Sequence, residues 1–372
     1  MAGKRHHTVP KFLQKGFASK IDGNTVFTWL YRKKSVSPKE VNTKDTIVGE
    51  HFYGRKGESN DDDSITCLEQ NKFSPLIDTL RSGKCNFDKS KLEIAEMISH
   101  FSVRTKLVRE SFMQVSKRMI GGIREILTDE NVIEDVLLKP REDFLETQIE
   151  EVLANTNNEK LAKAIEIFDL IGFEKDDFKK MVTQITYESL DEDESKNEMK
   201  DIVKGLFSQI FDESNALYPK SIKEGHNKSL AENTIPLPRV KEYEQLDWNI
   251  YEVNYPLILG DVACIFREFG GNSFRSSCII EKTGQIYLPI SSNQILIGTF
   301  NSEKIETNVK VLNEAIVKCS YEQFICSEKS DDKIDLIQFI GTDAYIVSDE
   351  EIETELSEIR SNIQNINTKD DF

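Results

Sequence analysis

Apolar residues recur at helical spacing over two N-terminal segments. In residues 91–119 they return every three or four positions with no Pro or Gly, which predicts one long helix that Gly121 and Gly122 end. Residues 64–81 show a similar spacing, and Pro75 within them predicts a helix that is broken or capped there.

Short runs of β-branched and aromatic residues predict strands elsewhere. One run covers residues 25–31, after a turn at 22–24. After Trp248 the pattern predicts strands at 249–253, 256–266, 276–281, 285–289 and 294–300. It then predicts a helix at 309–327, a strand pair around Gly341 within 333–347, and a helix at 349–363.

The middle of the chain is acidic and amphipathic. Its pattern predicts helices at 126–138, 141–154, 160–171, 176–190 and 199–217. We therefore expect an α+β fold, mainly helical in the N-terminal and middle regions, with a mixed or antiparallel sheet near the C-terminus. The expected regions are a basic segment at 1–120, an acidic helical region at 121–217, a linker or long loop at 218–246, and an α+β region at 247–372 that packs back on the N-terminal part.

Charge is distributed unevenly along the 372 residues. The chain has 48 Lys and Arg against 65 Asp and Glu, a net charge of -17, yet residues 1–60 hold 12 basic and 5 acidic residues. A generally basic nucleic-acid coat protein is excluded, but a nucleic acid or nucleotide can meet the basic N-terminal third. The acidic helices suit a basic protein partner.

Several classes of protein are disfavoured by missing features. No apolar window is long enough for a membrane span, and no hydrophobic segment follows the charged start, so we expect no membrane association and no secretory signal. The six cysteines form no CxxC pair, which indicates reduced thiols and a cytoplasmic location. The sequence also lacks a P-loop, GxGxxG, HExxH and GxSxG, although metal-dependent nucleases need no such motif.

His7 is the first candidate for chemistry. It lies just before Pro10 and a set of apolar residues that can anchor the segment at the edge of a pocket. A histidine placed there can act as a general acid or base near neutral pH. The alternative is an exposed basic N-terminus without a site.

Arg104 and His100 lie four residues apart and share a helix face. Arg104 follows Phe101 and precedes Leu107 at helical spacing, so it sits on or beside the apolar face. A buried arginine needs a carboxylate or phosphate partner, so either an internal ion pair or anion binding explains it. Both side chains can meet one ligand.

Two carboxylates complete the set. Asp261 ends a strand-like apolar run, a position that suits either chemistry or a turn. Glu69 can pair with Arg104 or act as a base. Glu69 and Asp261 are also the candidate ligands for a divalent metal, Mg²⁺ or Mn²⁺, if one is bound.

Four blocks of sequence resemble a bacterial family known as domain-of-unknown-function family 4238. The first block is HTVPKFLQKGF from His7 to Phe17, similar to that family's H-x-V-P-x-F signature. The others are Leu68-Glu69 with Phe73 to Leu76, Phe101 to Arg104, and Trp248 to Asp261 followed by Tyr287 to Ser291. The chain departs from the pattern at Gly260, where the family usually has Ser. The resemblance covers about residues 5 to 330 and implies that His7, Glu69, Arg104 and Asp261 converge.

Two functions fit these residues. The first is a nuclease or other phosphate-ester hydrolase, an effector in bacterial or phage defence, in which His7 is the acid or base and Arg104 holds a phosphate. Glu69 and Asp261 would then orient His7 or bind the metal. The second is a binding or interaction module without catalysis. A buried scaffold with the function elsewhere is the third interpretation.

Overall fold

A computed structural model describes residues 5–50, 61–133, 193–232, 234–277, 282–300 and 304–365. These residues form helices and three antiparallel sheets, so the predicted α+β fold is confirmed. The chain divides into two compact units. The first unit comprises Met1–Phe112 with Ile222–Val347, and the second comprises Met113–Ser221 with Ser348–Phe372. The helices predicted at 141–154, 160–171 and 176–190, and the end of that at 126–138, lie outside the described residues.

The strands are β1 (Arg5–His7), β2 (Lys20–Asp22), β3 (Thr25–Arg32), β4 (Lys39–Asn42), β5 (Val48–Glu50), β6 (Asp247–Glu252), β7 (Ile258–Gly260), β8 (Ile265–Glu268), β9 (Phe274–Arg275), β10 (Thr283–Ser291), β11 (Gln294–Thr299) and β12 (Gln323–Cys326). The helices are α1 (Lys11–Gln14), α2 (Asp61–Leu68), α3 (Ser74–Arg81), α4 (Phe87–Val103), α5 (Lys106–Leu127), α6 (Glu130–Val132), α7 (Asp193–Glu232), α8 (Leu237–Tyr243), α9 (Val309–Cys319), α10 (Asp331–Asp335) and α11 (Asp349–Asn365). A π-helical turn covers Glu69–Phe73, and 3-10 turns cover Lys15–Phe17, Thr43–Asp45 and Leu336–Phe339.

The first unit contains all three sheets. One sheet has the strand order β6-β11-β10-β8-β9, and a second has the order β2-β3-β12-β7 with β4 paired to β3. The short pair β1-β5 forms the third. Strand β10 is buried at every position because strands flank it on both edges and helices pack near it. Pairing of β12 with both β3 and β7 joins distant parts of the sequence in one core.

The second unit has a smaller apolar core. Its buried residues come from α5, α7 and the turn after α6, namely Ile120, Ile133, Val203, Phe207 and Phe211. Surface ion pairs join the same elements, including Arg124 with Asp212 at 2.9 Å and Lys204 with Glu130 at 2.6 Å. Among the described helices, none combines the length and apolar character that crossing a membrane would need.

Four predicted elements are wrong in detail. The helix predicted at 91–119 is two helices that separate at Arg104, and α5 continues through Gly121 and Gly122 to Leu127. The helix predicted at 309–327 ends at Cys319, because residues 323–326 pair with strands on both sides.

The segments 218–246 and 333–347 also differ from the prediction. Most of 218–246 is helical, since α7 continues past Pro219 and places buried Leu230 against Ile65. The strand pair predicted in 333–347 is absent among these residues, of which 333–339 form helical turns and 340–347 are turns, bends and irregular chain. There the buried Lys333 ammonium donates to Tyr255 and Asp332, and these contacts favour the turn over an extended chain.

Candidate functional site

A break between two helices places Arg104. Helix α4 ends at Val103, and Arg104 leaves helical geometry with φ -91° and ψ 42°. The hydroxyl of Thr105 then accepts a hydrogen bond from the amide of Val108 at 3.2 Å and caps the start of α5. The long apolar pattern hides this break because apolar residues recur at helical spacing on both sides of it, although Phe112 in α5 is 52% exposed. The side chain of Arg104 is consequently turned inward and only 5% exposed.

A π-helical turn places Glu69. Pro75 has no amide hydrogen to donate to the carbonyl four residues earlier, and its ring crowds that carbonyl. The helix widens just before it, at Glu69–Phe73, and Pro75 then lies in the first turn of α3. Glu69 begins the π-helical turn, and its carboxylate is buried with 12% of the side chain exposed. The predicted break near Pro75 therefore exists as a π-turn on the N-terminal side of the proline.

Glu69, His100 and Arg104 form a buried polar cluster. His100 Nε2 lies 3.1 Å from Glu69 Oε1, and Arg104 Nη1 is paired with the same oxygen. The ring of Phe73 covers the imidazole, with 5.4 Å between the ring centroids. Of the two explanations that the sequence left open for Arg104, the internal ion pair is therefore present.

Hydrogen-bond chemistry places one proton of His100. Its Nδ1 lies 3.0 Å from the carbonyl of Thr234, which can only accept, so Nδ1 carries a proton. Its Nε2 faces both the Glu69 carboxylate and, at 3.5 Å, Arg104 Nη1. Burial lowers the pKa of Arg104 to about 9, still above neutral pH, so the guanidinium is positively charged.

His7 joins this cluster through its backbone. Arg104 Nη2 donates to the carbonyl oxygen of His7. The imidazole of His7 is partly exposed, whereas His100 is fully buried. The structure therefore brings His7, Glu69, His100 and Arg104 together, with His7 as the member that reaches toward solvent.

Gln14 orients the ring of His7. Its amide nitrogen donates to the carbonyl of Val9 at 2.7 Å, which identifies the nitrogen, and the same nitrogen lies 3.2 Å from His7 Nδ1. The oxygen of Gln14 accepts a hydrogen bond from the hydroxyl of Thr46. Because Nδ1 accepts, Nε2 carries the proton of the neutral ring. The role of His7 as an acid or base stays a prediction.

Asp261 is bonded to a different part of the first unit. Its Oδ1 accepts from the amide of Tyr321 at 2.7 Å, and its Oδ2 accepts from the amides of Glu322 and Gln323 at 2.8 and 3.1 Å. Burial raises the pKa of Asp261 to about 6, while these three amides act in the opposite direction. Asp261 therefore closes the turn between α9 and β12, as the turn interpretation of the sequence expects, and its recorded contacts do not join it to the other four residues.

Gly260 makes room for a hydroxyl from elsewhere in the chain. A Cβ at this position would overlap the hydroxyl oxygen of Ser320. Ser320 is fully buried and donates to the carbonyl of Ile316 at 2.7 Å. The hydroxyl of Ser320 thus occupies the space that a side chain at position 260 would need.

Arg81 is an anchor that the sequence reasoning missed. Its guanidinium donates to the carbonyls of Phe12, Leu13 and Ile290 at 3.0, 2.8 and 2.7 Å. Gly16 permits this approach, because a Cβ there would overlap the guanidinium and lie 2.5 Å from the carbonyl oxygen of Ile290. The signature segment is therefore fixed to β10 by an arginine 64 residues or more beyond it in sequence. Gly16, where the backbone is approached closely, is the one residue of the segment that could have indicated this contact.

The described residues contain no group of three His, Cys, Asp or Glu side chains arranged to hold a metal ion. Glu69 and Asp261, the metal ligands considered from sequence, each accept hydrogen bonds or ion pairs from protein groups. Metal binding by these two residues stays a prediction.

Comparison with known proteins identifies a family. No curated protein and no solved structure matches the chain. A family model described as a protein of unknown function, DUF4238, matches residues 5–331. That range spans most of the 372 residues and includes all five candidate site residues. The chain therefore belongs to the DUF4238 family.

Proposed function

We propose that this protein is a nuclease or other phosphate-ester hydrolase that binds its phosphate at the His7 end of the buried cluster. The observation that carries the proposal is the partly exposed His7 ring, held by Gln14 and backed by Arg104. A neutral imidazole N–H close to the charged guanidinium of Arg104 suits a phosphate oxygen. The net charge of residues 1–60 favours approach of a polyanion to the same part of the chain.

Hydrolysis forms a bond from a water oxygen to phosphorus and breaks the bond from phosphorus to the ester oxygen. The proton released by the water ends on the departing oxygen. His7 Nε2 contributes by donating a hydrogen bond to a phosphoryl oxygen as negative charge develops there. Arg104 is a positioning residue, since it holds the carbonyl of His7, while Glu69 and His100 hold Arg104.

The test is hydrolysis of DNA, tRNA and mononucleotides by purified protein, with and without Mg²⁺ or Mn²⁺. Loss of one oxyanion donor typically lowers kcat by about 100-fold or more, so we expect His7→Ala to do so with a nearly unchanged Tm. Lys15→Ala is the control. Lys15 is exposed on the same segment, so this substitution removes only a surface charge. If folded wild-type protein leaves the whole panel intact with either metal, the hydrolase proposal is wrong.

A second candidate is an anion-binding module without catalysis. It is favoured by the pairing of Glu69 with Arg104 and His100, which engages a carboxylate that would otherwise serve as a base. In this case inorganic phosphate or a mononucleotide raises the Tm of wild type more than that of His7→Ala, and no product forms.

The cellular setting is also a proposal. Five described cysteines, Cys67, Cys85, Cys264, Cys319 and Cys326, are free thiols, which supports a reducing compartment such as the cytoplasm. A role in bacterial or phage defence predicts that expression of wild type, and not of His7→Ala, lowers phage plaque counts. Docking of a basic protein on the acidic helices stays a prediction.

A further inference from the structure

Two aromatic side chains lie partly exposed on one face of β3. Phe27 and Trp29 alternate with Thr28 and Leu30, whose side chains are buried on the other face. Residues two apart on a strand share a face and lie about 6.8 Å apart. The two rings therefore follow each other along the strand.

Each ring has a lysine ammonium beside it. Lys20 Nζ lies 5.9 Å from the centroid of Phe27, and Lys329 Nζ lies 5.7 Å from the centroid of Trp29. Lys20 is the register partner of Phe27 on β2, so the first pairing follows from the sheet itself. Both lysines are exposed, and Lys20 Nζ also lies 4.0 Å from Asp22 Oδ2 in an exposed pair. Their long side chains can move from the rings to a ligand. Two aromatic faces and two adjacent cations thus form one surface.

Phe27, Trp29 and Lys20 lie in a basic part of the chain, whereas Lys329 lies near Glu328, Asp331 and Asp332. Residues 11–45 hold eight Lys and Arg and three Asp and Glu, although the whole protein carries a net charge of -17. Arg32 ends β3, Lys33 and Lys34 follow it, and all three are exposed. The charge of this segment complements a polyanion.

The same surface is connected to His7 by a short path. Phe27 pairs in register with Asn42, whose side chain caps the turn Thr43–Asp45. The next residue, Thr46, donates its hydroxyl hydrogen to Gln14, and Gln14 contacts the His7 ring. Gln14 and Thr46 are fully buried, so these contacts join β3 to the His7 segment through the interior of the first unit.

We propose that Phe27 and Trp29 stack against successive bases of a single-stranded nucleic acid, while Lys20 and Lys329 contact the adjoining phosphates. Stacking on aromatic rings requires bases with free faces, which a duplex does not offer along its length. The inference rests on the proposed function, because it names the substrate class of that same site.

Trp29 is itself the probe for the test. The chain has two tryptophans, and Trp248 is 2% exposed with its indole N–H bonded to the carbonyl of Tyr243. Titration with a 15-residue oligo(dT) is expected to quench the Trp29 emission, and a duplex of equal length to bind more weakly. Since a stacked base contributes about 1–3 kcal/mol, Trp29→Leu and Phe27→Leu should each weaken binding by about 10-fold, measured by anisotropy of a labelled oligonucleotide.

A matched control exists on another surface of the first unit. Phe339 is 37% exposed, and Lys318 Nζ lies 5.9 Å from its ring centroid, but the ring belongs to the 3-10 turn Leu336–Phe339 and not to β3. Phe339→Leu should leave oligonucleotide binding unchanged. Trp29→Phe keeps an aromatic face and should retain most of the affinity, which separates stacking from misfolding. Replacing Lys20 and Lys329 by Ala should reduce the slope of log K against log salt by about 1.4.

The inference is overturned if folded Trp29→Leu binds oligo(dT) as wild type does, or if the duplex binds as tightly as the single strand. It fails separately from the proposed function. Trp29-dependent binding of oligo(dT) by wild-type protein that hydrolyses nothing in the panel keeps the stacking surface and removes the hydrolase. Hydrolysis of mononucleotides without Trp29-dependent oligonucleotide binding keeps the hydrolase and removes the stacking surface.

Discussion

Replacing Glu69 by Gln removes the carboxylate that Arg104 and His100 share. The side chain of Arg104 is 5% exposed and that of Glu69 is 12% exposed, so water cannot take over the lost interaction. Breaking a buried ion pair by removing one partner typically costs about 3–5 kcal/mol, because the other charge stays buried without compensation. We expect a loss of this size in the free energy of unfolding of the first unit.

Urea unfolding followed by tryptophan emission measures this loss. Both tryptophans, Trp29 and Trp248, lie in the first unit, so the signal reports on the unit that contains the cluster. Glu322→Gln is the matched control, since Glu322 forms a 2.7 Å pair with Lys106 in which the two side chains are 48% and 43% exposed. An exposed pair contributes about 1 kcal/mol or less.

A double variant tests the reason for the loss. If the loss comes from an uncompensated buried guanidinium, Arg104→Met added to Glu69→Gln should restore about 1 kcal/mol or more. Equal losses in Glu69→Gln and Glu322→Gln would refute the reasoning. So would a double variant whose loss is the sum of the two single losses.

Three further perturbations follow from the same contacts. Gly16→Ala places a Cβ against Arg81 and should lower the free energy of unfolding in urea by about 2–4 kcal/mol. Gly205→Ala is the control and should cause no such loss, because a Cβ at Gly205 has no neighbouring atom within 4 Å. His226 donates to the Val103 carbonyl and accepts from Arg109, and burial lowers its pKa from 6.5 to about 4. Between these two pKa values only the unfolded chain binds a proton at His226. The free energy of unfolding should therefore fall by about 2–3 kcal/mol as the pH drops from 6.5 to 4. A His226→Gln variant with the same pH dependence would contradict this. Gly260→Ser should lower the Tm by crowding Ser320, and Ser320→Ala should restore it; no rescue would mean that the overlap is not the cause.

Part of the candidate site was visible in the sequence. Helical spacing placed Arg104 on the apolar side of its segment, which correctly indicated burial and a need for a partner. Its partner is Glu69, 35 residues earlier, as the ion-pair interpretation of the sequence predicts. The roles of Gln14 and Arg81 were not visible, because both act through backbone carbonyls or ring nitrogens that no spacing rule reports.

The sequence by itself determined the α+β class, the strand at 25–31, the C-terminal helix and the uneven distribution of charge, because these depend on local periodicity and composition. Only the tertiary structure decided where α4 stops, which residues Asp261 bonds, and that residues 323–326 form a strand instead of a helix. The physical reason is common to all three. A buried polar group or an unpaired strand edge must find a hydrogen-bond partner, and in this fold the partner comes from a distant part of the chain.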